Sequence, residues 1–296
     1  MSVFDVIITA NSPGEVVGWV RPVVAEINRR AKRLAAAHGA EEVRVSVFLP
    51  PCVFASGAEK AYVQSCVPGV ALTLAPREYL RYAVMRRFPG GFTPSPKGVV
   101  LFLGSDLMHA ALLSRRLGYP ALAYTQGVAA ARGLFQRFLV PYESTRQRLI
   151  EKGVSPEKIR IIGNLMLDAV SPTLTREEVW RRWRLSETGR FDGQTGMVEG
   201  PVEVDRQADV GGPTDAGEPS DAELSDPLIL LLPGSRPAEV RYLTGFFLEA
   251  AELLARDLPG ARFAWSVSPF VSEEAMRGAL SFRRRGWEWS GGELAA

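Results

Sequence analysis

The 296-residue sequence predicts an α/β protein built on parallel sheets, and three observations carry that prediction. Short apolar runs rich in Val, Ile and Leu recur along the first 165 residues. Helix-type patterns separate most of them, and the same alternation resumes after residue 227. Parallel strands are covered on both faces, so they read as continuous apolar runs, and each needs a crossover helix to reach its neighbour.

"FDVIITA" (4–10) reads as the first buried strand, followed by a Gly-containing loop and a helix from about Arg21. Val23, Val24, Ile27, Ala31 and Leu34 give that helix its 3–4 spacing, and Pro22 suits its first turn. Further strands are expected at "VRVSVFLP" (43–50), "VALTLA" (70–75), "GVVLFLG" (98–104), "PALAYTQ" (120–126), "RFLVP" (137–141) and "KIRIIG" (158–163). Helices are expected at about 77–88, 106–117 and 142–153. "TREEVWRRWRL" (175–185) reads as one more, with Thr175 as its cap. Segment 186–226 then holds seven Gly, three Pro and almost no apolar periodicity, which predicts a disordered insert. Strand–helix alternation resumes with a strand at 228–232, a helix at 237–256, a strand at 262–268 and a helix at 272–281, before "GWEWSGG". Three segments follow: 1–170, a first α/β domain; 171–227, a helix plus the acidic insert; and 228–296, a second α/β domain of which only part is expected.

Composition narrows the function classes. No apolar run reaches the roughly 18–20 residues that span a bilayer, and the N-terminus lacks a basic leader. Two cysteines, Cys52 and Cys66, are too few for a disulfide framework, which gives a cytoplasmic reading. With only His38 and His109 as histidines, a metal site is not expected. Net charge is +2 but uneven: the insert carries eleven acids and two arginines, leaving about +11 on the remainder. Arginines cluster at Arg29/Arg30/Arg33, Arg81/Arg86/Arg87, Arg181/Arg182/Arg184 and Arg283/Arg284/Arg285. Solvated helix faces account for such clusters, and so does attraction to phosphate or an anionic membrane surface. Nothing matches a nucleic-acid-binding motif, so no nucleic-acid partner is expected.

Ligands of open parallel sheets gather where strand ends meet helix starts. Four such loops stand out. "ANSPGEVVGWV" brings Gly14, Glu15 and Gly18 to the end of the first strand, with neither a GxGxxG nor a GxxxxGK[ST] pattern. "FLGSDLMHA" (102–110) opens a helix with Asp106, either a cap or a general base, with His109 one turn along. "YTQGVAAARG" (124–133) offers Gln126. "LLLPGSRPAEV" (230–240) ends a strand in Gly234, Ser235 and Arg236, with Glu239 a helical step further in. That turn combines backbone N–H groups, a hydroxyl and a forked cation at a helix start, an arrangement suited to a diphosphate.

Taken in order, these blocks resemble the lipid-A-disaccharide synthase family of glycosyltransferases. "NSPGEVVGW", "FLVPYESTRQRLIEKGVSPEKIRIIGNLMLD" and above all "LLLPGSRPAEVRYL" carry the resemblance. It implies two Rossmann-like domains in the GT-B arrangement, the first taking the acceptor and the second a UDP-sugar donor. It also implies inverting transfer of a hexosamine-type sugar with no metal or other cofactor. Asp106 or Glu15 would act as base, Gly234, Ser235, Arg236 and Glu239 would hold the donor, and Gly14, Gln126 and Asn164 would line the cleft. A lipid-linked acceptor and peripheral attachment to the inner face of the plasma membrane follow as expectations. Four departures accompany the match. Asp106 aligns with the family's aspartate only after a one-residue shift, and the acidic insert has no counterpart. Asn164-Leu165-Met166-Leu167-Asp168 stands where the family has His-Pro-Leu-Leu-Asp, and no Gly-Thr-x-x-x-Glu helix follows. A UDP-sugar 2-epimerase, and a catalytically inactive nucleotide-sugar-binding protein, are the alternatives.

Overall fold

Val, Ile and Phe in register on neighbouring strands build one seven-stranded parallel sheet in the order β3-β2-β1-β4-β5-β6-β7. Its strands are β1 (Val3–Thr9), β2 (Glu42–Phe48), β3 (Val70–Leu74), β4 (Lys97–Phe102), β5 (Ala121–Tyr124), β6 (Phe135–Val140) and β7 (Ile159–Ile161). The computed structural model describes residues 2–85, 88, 92–170, 175, 227–258 and 261–280. The chain divides into two units, Met1–Ser171 and Pro172–Ala296. The α/β class and the parallel sheets read from the sequence are therefore what the chain forms.

Helices cover both faces of the first sheet. They are α1 (Pro13–Glu15), α2 (Arg21–Arg29), α3 (Ala31–Ala37), α4 (Glu59–Cys66), α5 (Pro76–Met85), α6 (Leu107–Leu117), α7 (Glu143–Glu151) and α8 (Leu165–Ala169). Ile7, Phe48, Val100 and Phe102 meet Tyr79, Tyr82, Leu107 and Ala110 of α5 and α6 on one face. Val6, Ile8, Val45 and Val47 meet Val16, Val20 and Val24 on the other. This two-sided burial explains why the strands lack polar alternation. The helix expected to run from Arg21 through Leu34 is broken at Arg30, and the loop before it holds α1 and a π-helical turn, Val16–Val20. Helices α4 and α8 are additional to those expected.

At the N-terminal ends of the strands Asp5, fully buried, is held from several sides. Arg44 Nε and Nη2 donate to its two oxygens at 2.8 and 3.0 Å, Ser95 N at 2.7 Å and Tyr119 Oη at 3.0 Å. Such a charge is tolerated because four donor atoms reach its oxygens, two of them from a guanidinium.

In the second unit, β8 (Leu228–Leu231) and β9 (Arg262–Trp265) pair in parallel, with α9 (Pro237–Asp257) and α10 (Glu273–Leu280). Val240, Val271, Met276 and Ala279 form the core of this unit. The expected helix at 175–185 (Thr175 excepted), the insert 186–226 and "GWEWSGG" lie outside the described residues. So do the arginines at 86, 87, 181, 182, 184 and 283–285.

Candidate functional site

In the first sheet the strand order reverses between β1 and β4, the topological switch point where loops part and leave room for a ligand. Two of the four loops expected to carry chemistry arise there. The β1 loop runs through Asn11 and Ser12 into α1, and the β4 loop runs through Gly104 and Ser105 to Asp106.

Glu15 joins the two. Its Oε2 accepts from Asn11 N at 2.8 Å, and both of its oxygens accept from Ser105 N at 3.1 Å. Gly104 makes this approach possible, since a Cβ there would overlap the Glu15 carboxylate. Ser105 takes the left-handed conformation with φ 71°, uncommon for a non-glycine residue. Asp106 then caps α6, its Oδ1 accepting from Met108 N at 2.8 Å, and the residue is exposed. Both cap and base roles of Asp106 are thus geometrically open, whereas Glu15 braces the loops through backbone N–H groups. Gly14 is exposed, and a side chain at that position would meet nothing within 4 Å.

His109 lies on the first turn of α6 and meets Tyr79 of α5, with Tyr79 Oη 3.0 Å from His109 Nδ1. Burial lowers the imidazole below its ordinary value and pushes the Tyr79 phenol up to about 12. Gln126 is exposed at the start of a loop held by Thr125, whose Oγ1 accepts from Gly127 N and Val128 N at 3.2 and 2.9 Å. Asn164 caps α8, its Oδ1 accepting from Met166 N while its Nδ2 donates to Tyr142 Oη, both at 3.0 Å. Met166 packs where a Cβ on Gly18 would stand, so α8 rests on the π-helical turn.

The second unit holds the other set. After β8 the chain turns at Gly234, with φ 120°, and enters α9. Ser235 N and Arg236 N both donate to Glu239 Oε2, at 3.0 and 3.2 Å, and Arg236 Nη1 pairs with Glu239 Oε1. A Cβ on Gly234 would come within 2.6 Å of Glu239 Cβ, so the turn closes tightly on this side chain. Two backbone donors, a guanidinium and a helix N-terminus converge on one carboxylate, which makes the turn an anion-holding nest with an internal anion in it. Among the described residues, no group of three or more His, Cys, Asp or Glu could hold a metal.

Ser105, Asn11 and Tyr79 were not singled out by sequence. The glycine before Ser105 was the available signal, because it marks a close approach of backbone to something.

No family model matches the chain, and no curated protein does. Similar solved structures include a putative UDP-N-acetylglucosamine 2-epimerase from Listeria monocytogenes. It has 10% identity and a TM-score of 0.49, over 95% of this chain and 66% of that one. A UDP-GlcNAc 2-epimerase from Neisseria meningitidis bound to UDP-GlcNAc has 12% identity and a TM-score of 0.46, over 93% and 68%. One from Methanocaldococcus jannaschii has 10% identity and a TM-score of 0.44, over 95% and 69%. The chain spans about two thirds of the length of these proteins.

These neighbours correct the expectation of a transferase. They are 2-epimerases, not glycosyltransferases of the lipid-A-disaccharide synthase family, and the transferase reading is withdrawn, with its inverting sugar transfer. The lipid-linked acceptor goes with it. The resemblance had rested on short blocks around strand-end turns, and such turns serve any anion-binding α/β protein. No described helix is long and apolar enough to cross a membrane.

Proposed function

We propose that the chain binds a nucleotide-sugar and acts on a UDP-sugar as a 2-epimerase. The observation that carries the binding is the Gly234–Arg236 turn, where backbone N–H groups and a guanidinium gather on a carboxylate at the start of α9. A diphosphate is chemically the same kind of guest: oxyanions accepting from two backbone donors and a forked cation. Binding would turn the Glu239 carboxylate out of the nest, since two anions at one set of donors repel.

The reaction takes its support from three sides. It was the alternative that needs no acceptor, the similar solved proteins bear its name, and the switch point of the first unit carries an exposed carboxylate, Asp106. Epimerisation at C2 of a sugar breaks the C2–H bond, its electron pair moving toward C1 as the bond to the diphosphate oxygen opens, and returns a proton to the opposite face as that bond re-forms. Asp106 is the group we assign to proton transfer, with Glu15 holding its loop. Gly14, Gln126 and Asn164 remain proposals as ligand-lining residues, and no cofactor is invoked.

Proton NMR of UDP-GlcNAc incubated with the chain in D2O tests the reaction. Loss of the C2–H signal with growth of the C2 epimer is expected, and Asp106→Asn should slow both about 100-fold or more. Saturable UDP-GlcNAc binding with the C2–H signal intact would reject the epimerase and leave a binding protein.

A further inference from the structure

Tyr79 and His109 form a polar pair that the proposed chemistry leaves unused. Tyr79 is fully buried, and its ring meets the imidazole edge to face, with centroids 5.1 Å apart and planes at 86°. The hydroxyl lies 3.0 Å from Nδ1. With the phenol as donor to Nδ1, the imidazole proton sits on Nε2, the ring nitrogen remote from Tyr79. His109 is only partly buried, and helical side chains lean toward the N-terminus of their helix. The ring therefore leans toward the start of α6, at the C-terminal end of β4.

Two hydroxyls near that rim are buried without a partner: Thr9 Oγ1 at the end of β1, and Ser105 Oγ at the end of β4. Register with Phe48 and Phe102 sets Thr9 on the sheet face that α5 and α6 cover. Buried hydroxyls are seldom left so, and they point to a polar group arriving from outside the chain. Asp106, one turn before His109, and Arg116, whose guanidinium reaches Tyr82 O, are the charged groups around the pair.

We infer that His109, its tautomer fixed by Tyr79, donates through Nε2–H to a hydroxyl or carbonyl oxygen of a ligand at the ends of β1 and β4. A neutral donor suits a hydroxyl or carbonyl oxygen, whereas a phosphate would favour a cation. The assignment rests on the nucleotide-sugar reading.

Long-range 1H–15N NMR of the intact chain tests it. In the free protein His109 should show the Nε2–H tautomer, and Tyr79→Phe should mix the two tautomers. UDP-GlcNAc should shift His109 Nε2 while UDP leaves it in place. His109→Phe should weaken UDP-GlcNAc about three- to tenfold, the worth of one neutral hydrogen bond, with UDP affinity within about twofold of wild type. An Nδ1–H tautomer in the free chain overturns the inference whatever the ligand does. Saturable UDP-GlcNAc binding with His109 unmoved overturns it alone. Absence of any binding overturns the nucleotide-sugar reading and this inference together.

Discussion

Replacing Gly104 by alanine should destabilise the first unit through Glu15 rather than through the strand it follows. The added Cβ would overlap the Glu15 carboxylate, which must then leave the N–H groups of Asn11 and Ser105. Backbone dihedrals impose nothing here, for Gly104 is not among the residues with positive φ. Two charge-assisted bonds, at 2.8 and 3.1 Å, are lost. Water recovers part of the carboxylate's share, but the amides remain half-enclosed. Each N–H left without its acceptor costs about 1–3 kcal/mol, and partial access of water to both holds the total to about 2–4 kcal/mol. For a unit of this size that lowers Tm by roughly 5–15 °C. The decisive comparison is a double-mutant cycle by thermal and urea unfolding. In a Glu15→Ala background Gly104→Ala meets no carboxylate, so its cost should fall by about 2 kcal/mol. Additive costs, within about 0.5 kcal/mol, would refute the coupling and leave Glu15 without its bracing role.

Other expectations follow from single features. Asp5→Asn should cost about 3–5 kcal/mol in urea unfolding, because Arg44 would keep its charge beside a partner that no longer balances it. Ser105→Gly should raise Tm by a few degrees, since glycine relieves about 1 kcal/mol of left-handed strain at φ 71°. The folded-state pKa of His109 is depressed by burial, so the unfolded chain binds its proton more tightly and stability rises with pH. Lowering pH from 7 through and below 6.5 should therefore reduce Tm more in the wild type than in His109→Phe, and equal slopes would remove His109 from the effect. Glu239→Gln should tighten UDP binding about five- to tenfold in calorimetric titration by removing the competing anion, roughly 1 kcal/mol of charge repulsion.

Strand positions were legible because apolar runs in a two-sided parallel sheet have few other readings. "FDVIITA" and "GVVLFLG" became β1 and β4 within one or two residues, since Val, Ile and Leu there face cores on both sides. Asp106 was equally readable, because a carboxylate between a strand and an apolar periodicity is a cap by local chemistry alone. The sheet order, and with it the switch point between β1 and β4, depends on which strands pair, and no local pattern encodes that. Glu15 meeting Ser105 spans 90 residues and depends on that order. The π-helical turn at Val16–Val20 was hidden for a different reason: "PGEVVGWV" reads as a loop until Met166 of α8 packs on Gly18 and holds it wound. Glu239 was visible as part of the cationic turn, but its direction, back onto Ser235 and Arg236, follows from the capping geometry of α9.

On the proposed function, the Gly234–Arg236 turn exchanges an internal carboxylate for the diphosphate of a UDP-sugar. Calorimetric titration of the whole chain with UDP-GlcNAc, UDP and ADP, repeated on Arg236→Ala, tests it most directly. Saturable binding that favours uridine is expected, weakened by about 1.5–3 kcal/mol in the variant as a charged hydrogen bond to phosphate is lost. Affinity unchanged by the substitution, or no binding of any of the three, would contradict it.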